Sequence, residues 1–506
     1  STVYTWANNT TSIGLGASGT GNITSFTGVN ATNIPVVSTV TVTPTYTNNA
    51  VACVGSTSTF TITINPKPVV PNQTATICSG AAFTTAPTNN APTTIIPSGT
   101  TYTWTVVDNT NVTGESDQAV GQSNISQTLT NLTNTAQTVV YTVTPTSGAA
   151  GNCVGSTFTV TVTVSPKATI ANKTVSACSG SGFTVTPSNG GGDIVPSGTT
   201  YAWSALPVVT GGLTGGATAS LQSSISGTLT NPTNIAQTAT YTVTPTSGSC
   251  TGATFTVVAT INPKPVVPNQ TATICSGGTF TTAPSNAAPT TIIPTGTTYT
   301  WTVAPNANVT GESDQSTGQS SISQTLTNTT NIPQTVVYTV TPTSGDAGSC
   351  VGSNFTVTVT VNPTPVVANK TSTICSGTAF TTTPANGTDI VPASTTYTWT
   401  VAPNADVTGE TDQAVGQSSI SQTLTNTSNT VQTVVYTVTP KSGAAGACVG
   451  STFTITVTVN PRPTIDAISN QAVCAGSTVS GVTITGSVAS TVYTWANNTT
   501  SIGLGA

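Results

Sequence analysis

Thr157-Phe158-Thr159-Val160-Thr161-Val162-Thr163-Val164 alternates hydroxyl and apolar side chains without a break. Successive side chains of a β-strand point to opposite faces, so Phe158, Val160, Val162 and Val164 share one face and the threonines share the other. One face is then buried and one is wet. The same reading extends upstream. Val139, Tyr141 and Val143 fall on one face of a second strand, and Tyr102, Trp104 and Val106 on one face of a third. Runs rich in Gly, Asn, Ser and Pro separate these strands, and no stretch of useful length carries a helical period.

The pattern recurs. Trp6, Trp104, Trp203, Trp301, Trp399 and Trp495 follow one another at roughly 98-residue intervals, as do Cys53, Cys153, Cys250, Cys350 and Cys448. Boundaries fall at a proline motif, as in Asn65-Pro66-Lys67-Pro68 and Asn262-Pro263-Lys264-Pro265. Proline cannot donate to a ladder, so each motif ends a strand, and alternating prolines favour an extended, semi-rigid connection. A stiff rod is expected. Residues 66–165, 166–262, 263–362 and 363–460 read as four complete domains. Residues 1–65 hold the last strands of another, and residues 461–506 hold first strands. Residues 1–17 and 490–506 are the same seventeen letters, STVYTWANNTTSIGLGA, at an offset of 489 (490 minus 1). The array is therefore expected to continue with a five-domain period, the 461–506 type completing the 1–65 type. Six to eight short strands around one Trp in each block predict an all-β tandem array of immunoglobulin-like sandwiches. The expected core is Trp104, Trp203, Trp301 and Trp399 with Tyr141, Tyr241, Tyr338 and Tyr436.

Composition excludes whole classes of function. Charged residues are 4% of the chain, His and Met are absent, and seven Lys and Arg cannot form the basic footprint a nucleic acid needs. No 18-residue apolar run marks a membrane span. Without His there is no Ser-His-Asp or Cys-His arrangement, and no Gly-rich phosphate loop opens a helix, so neither catalysis nor a cofactor is expected. Three loops pair carboxylates: Glu115 with Asp117, Glu312 with Asp314 and Glu410 with Asp412. These are the only calcium candidates, and two carboxylates fall short of the six to eight oxygens calcium takes. A turn is the better reading. Asn-x-Ser/Thr sequences such as Asn22-Ile23-Thr24 are numerous, but chance supplies most of them in so Thr-rich a chain.

Ten regularly spaced cysteines without His or CxxC indicate disulfides in an oxidising compartment. Three pairings are open. The within-domain set, Cys78–Cys153, Cys178–Cys250, Cys275–Cys350 and Cys375–Cys448, staples each small core and is preferred. Pairing across a linker is the second. The third joins the first-strand Cys of one domain to the late Cys of the next, as Cys78 with Cys250, and gains weight if the first turn and last hairpin lie at opposite ends.

The motifs Ile77-Cys78-Ser79-Gly80, Tyr102-Thr103-Trp104-Thr105, Tyr141-Thr142-Val143-Thr144-Pro145 and Cys153 through Val164 resemble the PKD-like, Ig-like repeats of giant Bacteroidota surface proteins. The resemblance covers essentially the whole chain. It departs at Val40, where other units have Tyr141, Tyr241, Tyr338 and Tyr436, and in the third unit, which lacks the acidic loop. It implies export by the type IX secretion system and a cell-surface adhesin or filament. The expected function is structural or adhesive, within a long extracellular filament or stalk, with neighbouring domains or copies of the same protein as partners, and surface glycans or other cells beyond them. An array of carbohydrate-binding modules is the alternative, and ice binding by flat Thr arrays a third reading.

Overall fold

The computed structural model describes residues 1–148, 151–346, 348–443 and 446–504. The chain forms two compact units, residues 1–230 with 237–261, and residues 231–236 with 262–506.

The first unit begins with a single open sheet. It contains β1 (Thr2–Asn8), β2 (Ser18–Thr20), β3 (Val36–Asn48), β4 (Val51–Val54) and β5 (Ser58–Ile64). The long β3 is its spine: β1 pairs along one edge, while β5 and β4 pair along the other. Its small core gathers Ile13, Leu15 and Val40, with Trp6, Phe26, Ile62 and Ile64 half-buried against them.

The block that follows is a complete sandwich. Its strands are β6 (Gln73–Cys78), β7 (Ala81–Thr85), β8 (Thr101–Val106), β9 (Val112–Thr113), β10 (Gln118–Gln122), β11 (Ile125–Asn131), β12 (Gln137–Thr146) and β13 (Phe158–Ser165). One sheet runs β10-β8-β12-β13-β6 and the other β7-β11-β9. All pairings are antiparallel except β6, which lies parallel to β13 with Cys78 opposite Ser165. Gly80, at φ 80°, adopts the left-handed turn that carries the chain from β6 in one layer to β7 in the other. The alternation in β13 resolves as read: Phe158, Val160, Val162 and Val164 are buried and the threonines between them are half-exposed. They close on Tyr102, Trp104, Ile125, Leu129, Tyr141 and Phe83 in one core, with the Tyr102 and Phe158 rings edge-on at 6.3 Å.

The same plan recurs in the next sandwich, where Phe183, Tyr201, Trp203, Tyr241 and Phe255 form the core. The second unit carries two more, centred on Trp301 with Tyr338 and on Trp399 with Tyr436. The four tryptophans are at most 5% exposed and the four tyrosines at most 1%.

Position 40 has a structural explanation. Val40 is opposite Phe60 in the open sheet, at the register where Tyr141 is opposite Val160. The aromatic ring has moved to the neighbouring strand, so the pair keeps one large and one small member.

The preferred disulfide set is corrected by the structure. Cys78 is bonded to Cys250, with Cα atoms 5.5 Å apart, and Cys275 to Cys448, at 5.7 Å. Cys178 and Cys350 are also disulfide-bonded, while Cys53, Cys153, Cys375 and Cys474 are free thiols. The pairings Cys78–Cys153, Cys178–Cys250, Cys275–Cys350 and Cys375–Cys448 are therefore all excluded. Strand direction is the reason. Because β6 runs parallel to β13, Cys78 sits beside Ser165 where the chain leaves the domain. Cys153 precedes β13 at its other end, and the eight residues of β13 span roughly 26 Å. A disulfide tolerates a Cα separation of only about 7 Å.

Candidate functional site at the domain joints

The joint between residues 66–165 and 166–262 is built from three pieces. The last carbonyl of β13, on Ser165, accepts from the Ser79 amide at 2.9 Å, so the end of β13 is tied to the turn after Cys78. The following Pro166 is half-buried and Ala168 is fully buried. The hairpin Ser247–Cys250 of the next sandwich then reaches back, and Cys250 closes the bond to Cys78. A cleft of about 500 Å³ remains beside the bond, lined by Asn134, Thr135, Pro166, Pro196 and Ser249. In the second unit, Cys275–Cys448 closes the equivalent joint, where the Thr364 hydroxyl also donates to the Ser276 carbonyl at 3.2 Å. The bond encloses 172 residues of sequence separation in one case and 173 in the other. In the chain-entropy account, closing so long a loop stabilises the folded pair by on the order of 5 kcal/mol.

The carboxylate pairs serve their own loop. Asp117 accepts from the Val106 amide at 2.8 Å, and Glu115 from the Asn109 amide at 3.0 Å. Trp104 donates its indole N–H to the Ser116 carbonyl at 3.1 Å, and the Gln127 amide donates to that carbonyl at 2.7 Å. Gln127 in turn accepts from the buried Tyr141 hydroxyl. The loop is thus pinned to the core Trp and Tyr. Glu312 with Asp314 and Glu410 with Asp412 make the same bonds. The second oxygen of each glutamate is buried without a protein hydrogen-bond partner. Burial pushes the Tyr141 hydroxyl well above its ordinary range, and the adjacent Glu115 charge adds to it. Among the described residues no group of three or more His, Cys, Asp or Glu could hold a metal ion. A pair of carboxylates already engaged by backbone amides gives calcium few oxygens.

Asn131 escaped sequence reading. Its side-chain amide donates to the Val164 carbonyl at 2.9 Å and the Thr135 carbonyl at 2.7 Å, and its oxygen accepts from the Thr133 amide and hydroxyl. Asn328 and Asn426 repeat this, as does Asn30 in the open sheet. Each begins an Asn-x-Ser/Thr triplet; Asn131, Asn328 and Asn426 are buried and Asn30 is half-buried, and each asparagine side chain ties its own turn together. The signal was present as a fixed distance to the following strand.

A shallow groove recurs on the outer face of three sandwiches, lined by Thr103, Thr105, Asp117, Gln118, Thr142 and Thr144 and their equivalents. It presents hydroxyls, and Trp104 beneath it is 5% exposed. No helix among the described residues is long and apolar enough to cross a membrane, which leaves β-barrels unaddressed.

The profile of a family described as PKD-like domain matches residues 75–168, 175–265, 272–365 and 372–463. No curated protein matches the chain. Among solved structures, the titin I-band fragment I67–I69 is similar at 7% identity, covering 58% of this chain and 96% of that chain with a TM-score of 0.25. Sidekick-1 immunoglobulin domains 1–4 are 10% identical, covering 78% and 97% with a TM-score of 0.18. Mouse cadherin-23 EC22–24 is 12% identical, covering 58% and 97% with a TM-score of 0.19.

Proposed function

We propose that this chain, which belongs to the PKD-like domain family, is a load-bearing segment of an extracellular filament or stalk at the cell surface. The observation that carries the reading is the covalent bond from each of two sandwiches to the next, Cys78–Cys250 and Cys275–Cys448. A disulfide within a domain would protect that domain. A disulfide between domains gives tension a path that bypasses the enclosed chain. Repetition makes length, and the bond keeps that length fixed. Disulfides suit an oxidising, extracellular setting, and the resemblance to Bacteroidota surface repeats supports a type IX-exported adhesin or filament. Trp104, Trp203, Trp301 and Trp399 of the four sandwiches are core residues, which disfavours a carbohydrate-binding array, and the twisted Thr faces of the sheets do not favour ice binding.

Single-molecule stretching tests this. With the bonds intact, pulling on the chain ends should yield no extension from residues 79–249. Reduction of all the disulfides should release a contour gain of roughly 600 Å for that segment, at about 3.3–3.6 Å per residue. Equal extension with and without reductant would remove the load-bearing role.

A further inference from the structure

The sandwich of residues 166–262 departs from the other three at the positions that join its layers. In the other three a glutamine braces the buried tyrosine. Gln127 stands opposite Phe83 in the second layer, its oxygen accepts from the Tyr141 hydroxyl at 2.8 Å, and its amide donates to the Ser116 carbonyl at 2.7 Å. Gln324 does the same for Tyr338 and Ser313, and Gln422 for Tyr436 and Thr411. At that register in 166–262, opposite Phe183, the residue is Gly227. The Tyr241 hydroxyl is left buried without a hydrogen-bond partner. A buried donor of this kind has given up water and gained no bond in exchange, which counts against the folded state.

The core is thinner at its centre. Val139 faces Val162 across neighbouring strands, as Val336 faces Val359 and Val434 faces Val457. In 166–262 the same pair is Ala239 and Ala259, both fully buried. Each alanine lacks the branched end of the valine, and the contacts of those methyl groups go with it. Ile261, at the register of Val164, returns part of the volume. The second layer is also reduced. It holds Gly182–Val185 and Ile225–Thr228 alone, where the other sandwiches have three strands, and a single bridge from Thr214 to Thr230 stands where β9 pairs with β11. Trp203 keeps its bond to the following loop through the Ala217 carbonyl, but that loop has no carboxylate to accept from the strand. Leu221, which precedes Gln222 as Gly121 precedes Gln122, is held at φ 56°, a conformation that disfavours a bulky side chain.

The Cys78–Cys250 bond spans this sandwich. Every strand from Lys173–Cys178 to Gln237–Ser247 lies inside the bonded loop. Outside it lie Cys250–Thr251, at the bond itself, and the last strand, Phe255–Asn262. The least braced of the four sandwiches is thus also one whose strands are enclosed by a covalent bridge.

We propose that the sandwich of residues 166–262 is a yielding module: it opens before the other three, and the Cys78–Cys250 bond lets it open without releasing the enclosed strands as length. Local opening draws on the least stable unit of a structure, and here the stranded hydroxyl, the alanine pair and the two-stranded layer fall in one unit. Because both ends of the enclosed segment stay bonded, the open sandwich closes again in place. The early opening rests on the packing of this sandwich alone, and the retained length rests on the load-bearing reading of the bond.

Hydrogen exchange read by mass spectrometry on the oxidised 506-residue chain tests this without tension. Peptides covering 225–247 are compared with their equivalents 125–146, 322–343 and 420–441. Exchange in 225–247 should be faster by roughly a hundredfold, the order expected of one stranded buried hydroxyl and one thinned core pair. Gly227→Gln with Ala239→Val and Ala259→Val should slow it by about tenfold or more, leaving 125–146 unchanged. The reciprocal variant, Gln127→Gly with Val139→Ala and Val162→Ala, should speed 125–146 toward the rate of 225–247, and it decides the matter where the filled core does not fold. Exchange in 225–247 equal to or slower than in its three equivalents would overturn the proposal, as would a reciprocal variant in which 125–146 keeps its rate. Neither result alters the extension seen with and without reductant, so the yielding module and the load-bearing role fail separately.

Discussion

Residues 1–17 and 490–506 are identical in sequence and differ in structure. In the first copy Thr2–Asn8 is the strand β1, paired to β3 over seven residues. In the second, the same letters from Thr491 to Asn497 form no strand. What survives in both is local. A short 3-10 turn forms at Thr11–Ile13 and at Thr500–Ile502, each ending on a left-handed glycine. Asn8 donates to Leu15 and accepts from Thr10, and Asn497 does the same with Leu504 and Thr499. The last two letters of the second copy lie outside the described residues. Side chain-to-backbone bonds over two to seven residues thus need nothing else, whereas a strand needs a partner whose backbone can accept and donate. Val-Thr alternation specifies which face is apolar, and only the second layer makes that face buried.

The largest effect should separate the tryptophans. Trp104→Ala should destabilise its sandwich by about 3–5 kcal/mol, the usual range for a buried aromatic. Trp495, at 55% exposure, should cost within about 0.5 kcal/mol, and Trp6, half-buried, should fall between them. Hydrogen exchange read by mass spectrometry on peptides from each region would rank the three, and an equal response at Trp104 and Trp495 would break the comparison. Next come the two asparagines. Asn8 is buried and also bonds to Ser38, so Asn8→Ala should cost about 1–3 kcal/mol through stranded polar partners. Asn497→Ala should barely register in the same experiment.

The smallest effect concerns pH. The sandwiches at 166–262 and 363–460 each hold a buried aspartate on a lysine: Lys173–Asp193 at 2.5 Å and Lys370–Asp389 at 2.6 Å. The equivalent strands of the other two sandwiches begin with Gln73 and Gln270. Burial alone would raise Asp193, but the Ala171 amide and the Lys173 ammonium together outweigh it and hold the carboxyl below its usual range. A depressed carboxylate contributes stability that is complete above the unfolded value near 3.8 and is lost as pH falls through the folded value. Melting curves from pH 6 down to pH 2 should therefore show an acid loss in 166–262 that Asp193→Asn removes. Burial would likewise raise Asp389, but the Lys370 ammonium and the Ala368 amide outweigh it and hold that carboxyl low, so the fourth sandwich is subject to the same test.

Much of the fold was legible because it is periodic. Strand type, the inward Trp and Tyr, and the repeat length all follow from which residue types recur at which interval. The disulfide partners did not follow, because spacing counts residues and the bond depends on direction. Only the parallel placement of β6 against β13 puts Cys78 at the exit of its domain. The Asn131 hub was hidden for a related reason: its two longest-range partners, the Val164 carbonyl and the Ser79 hydroxyl, lie 33 and 52 residues away. The carboxylates were legible as a loop, and their role as amide acceptors for that loop required coordinates.

The outer faces of the sheets are held by hydroxyls. Thr84 meets Ser126 at 2.9 Å, Thr281 meets Ser323 at 2.9 Å, and Thr279 meets Thr325 at 2.6 Å across neighbouring strands. Neutral pairs of this kind are not screened by dissolved ions, and with charged residues at 4% there is little else on the surface for ions to screen. The cohesion of these sheets should be nearly the same in fresh water, brackish water and seawater.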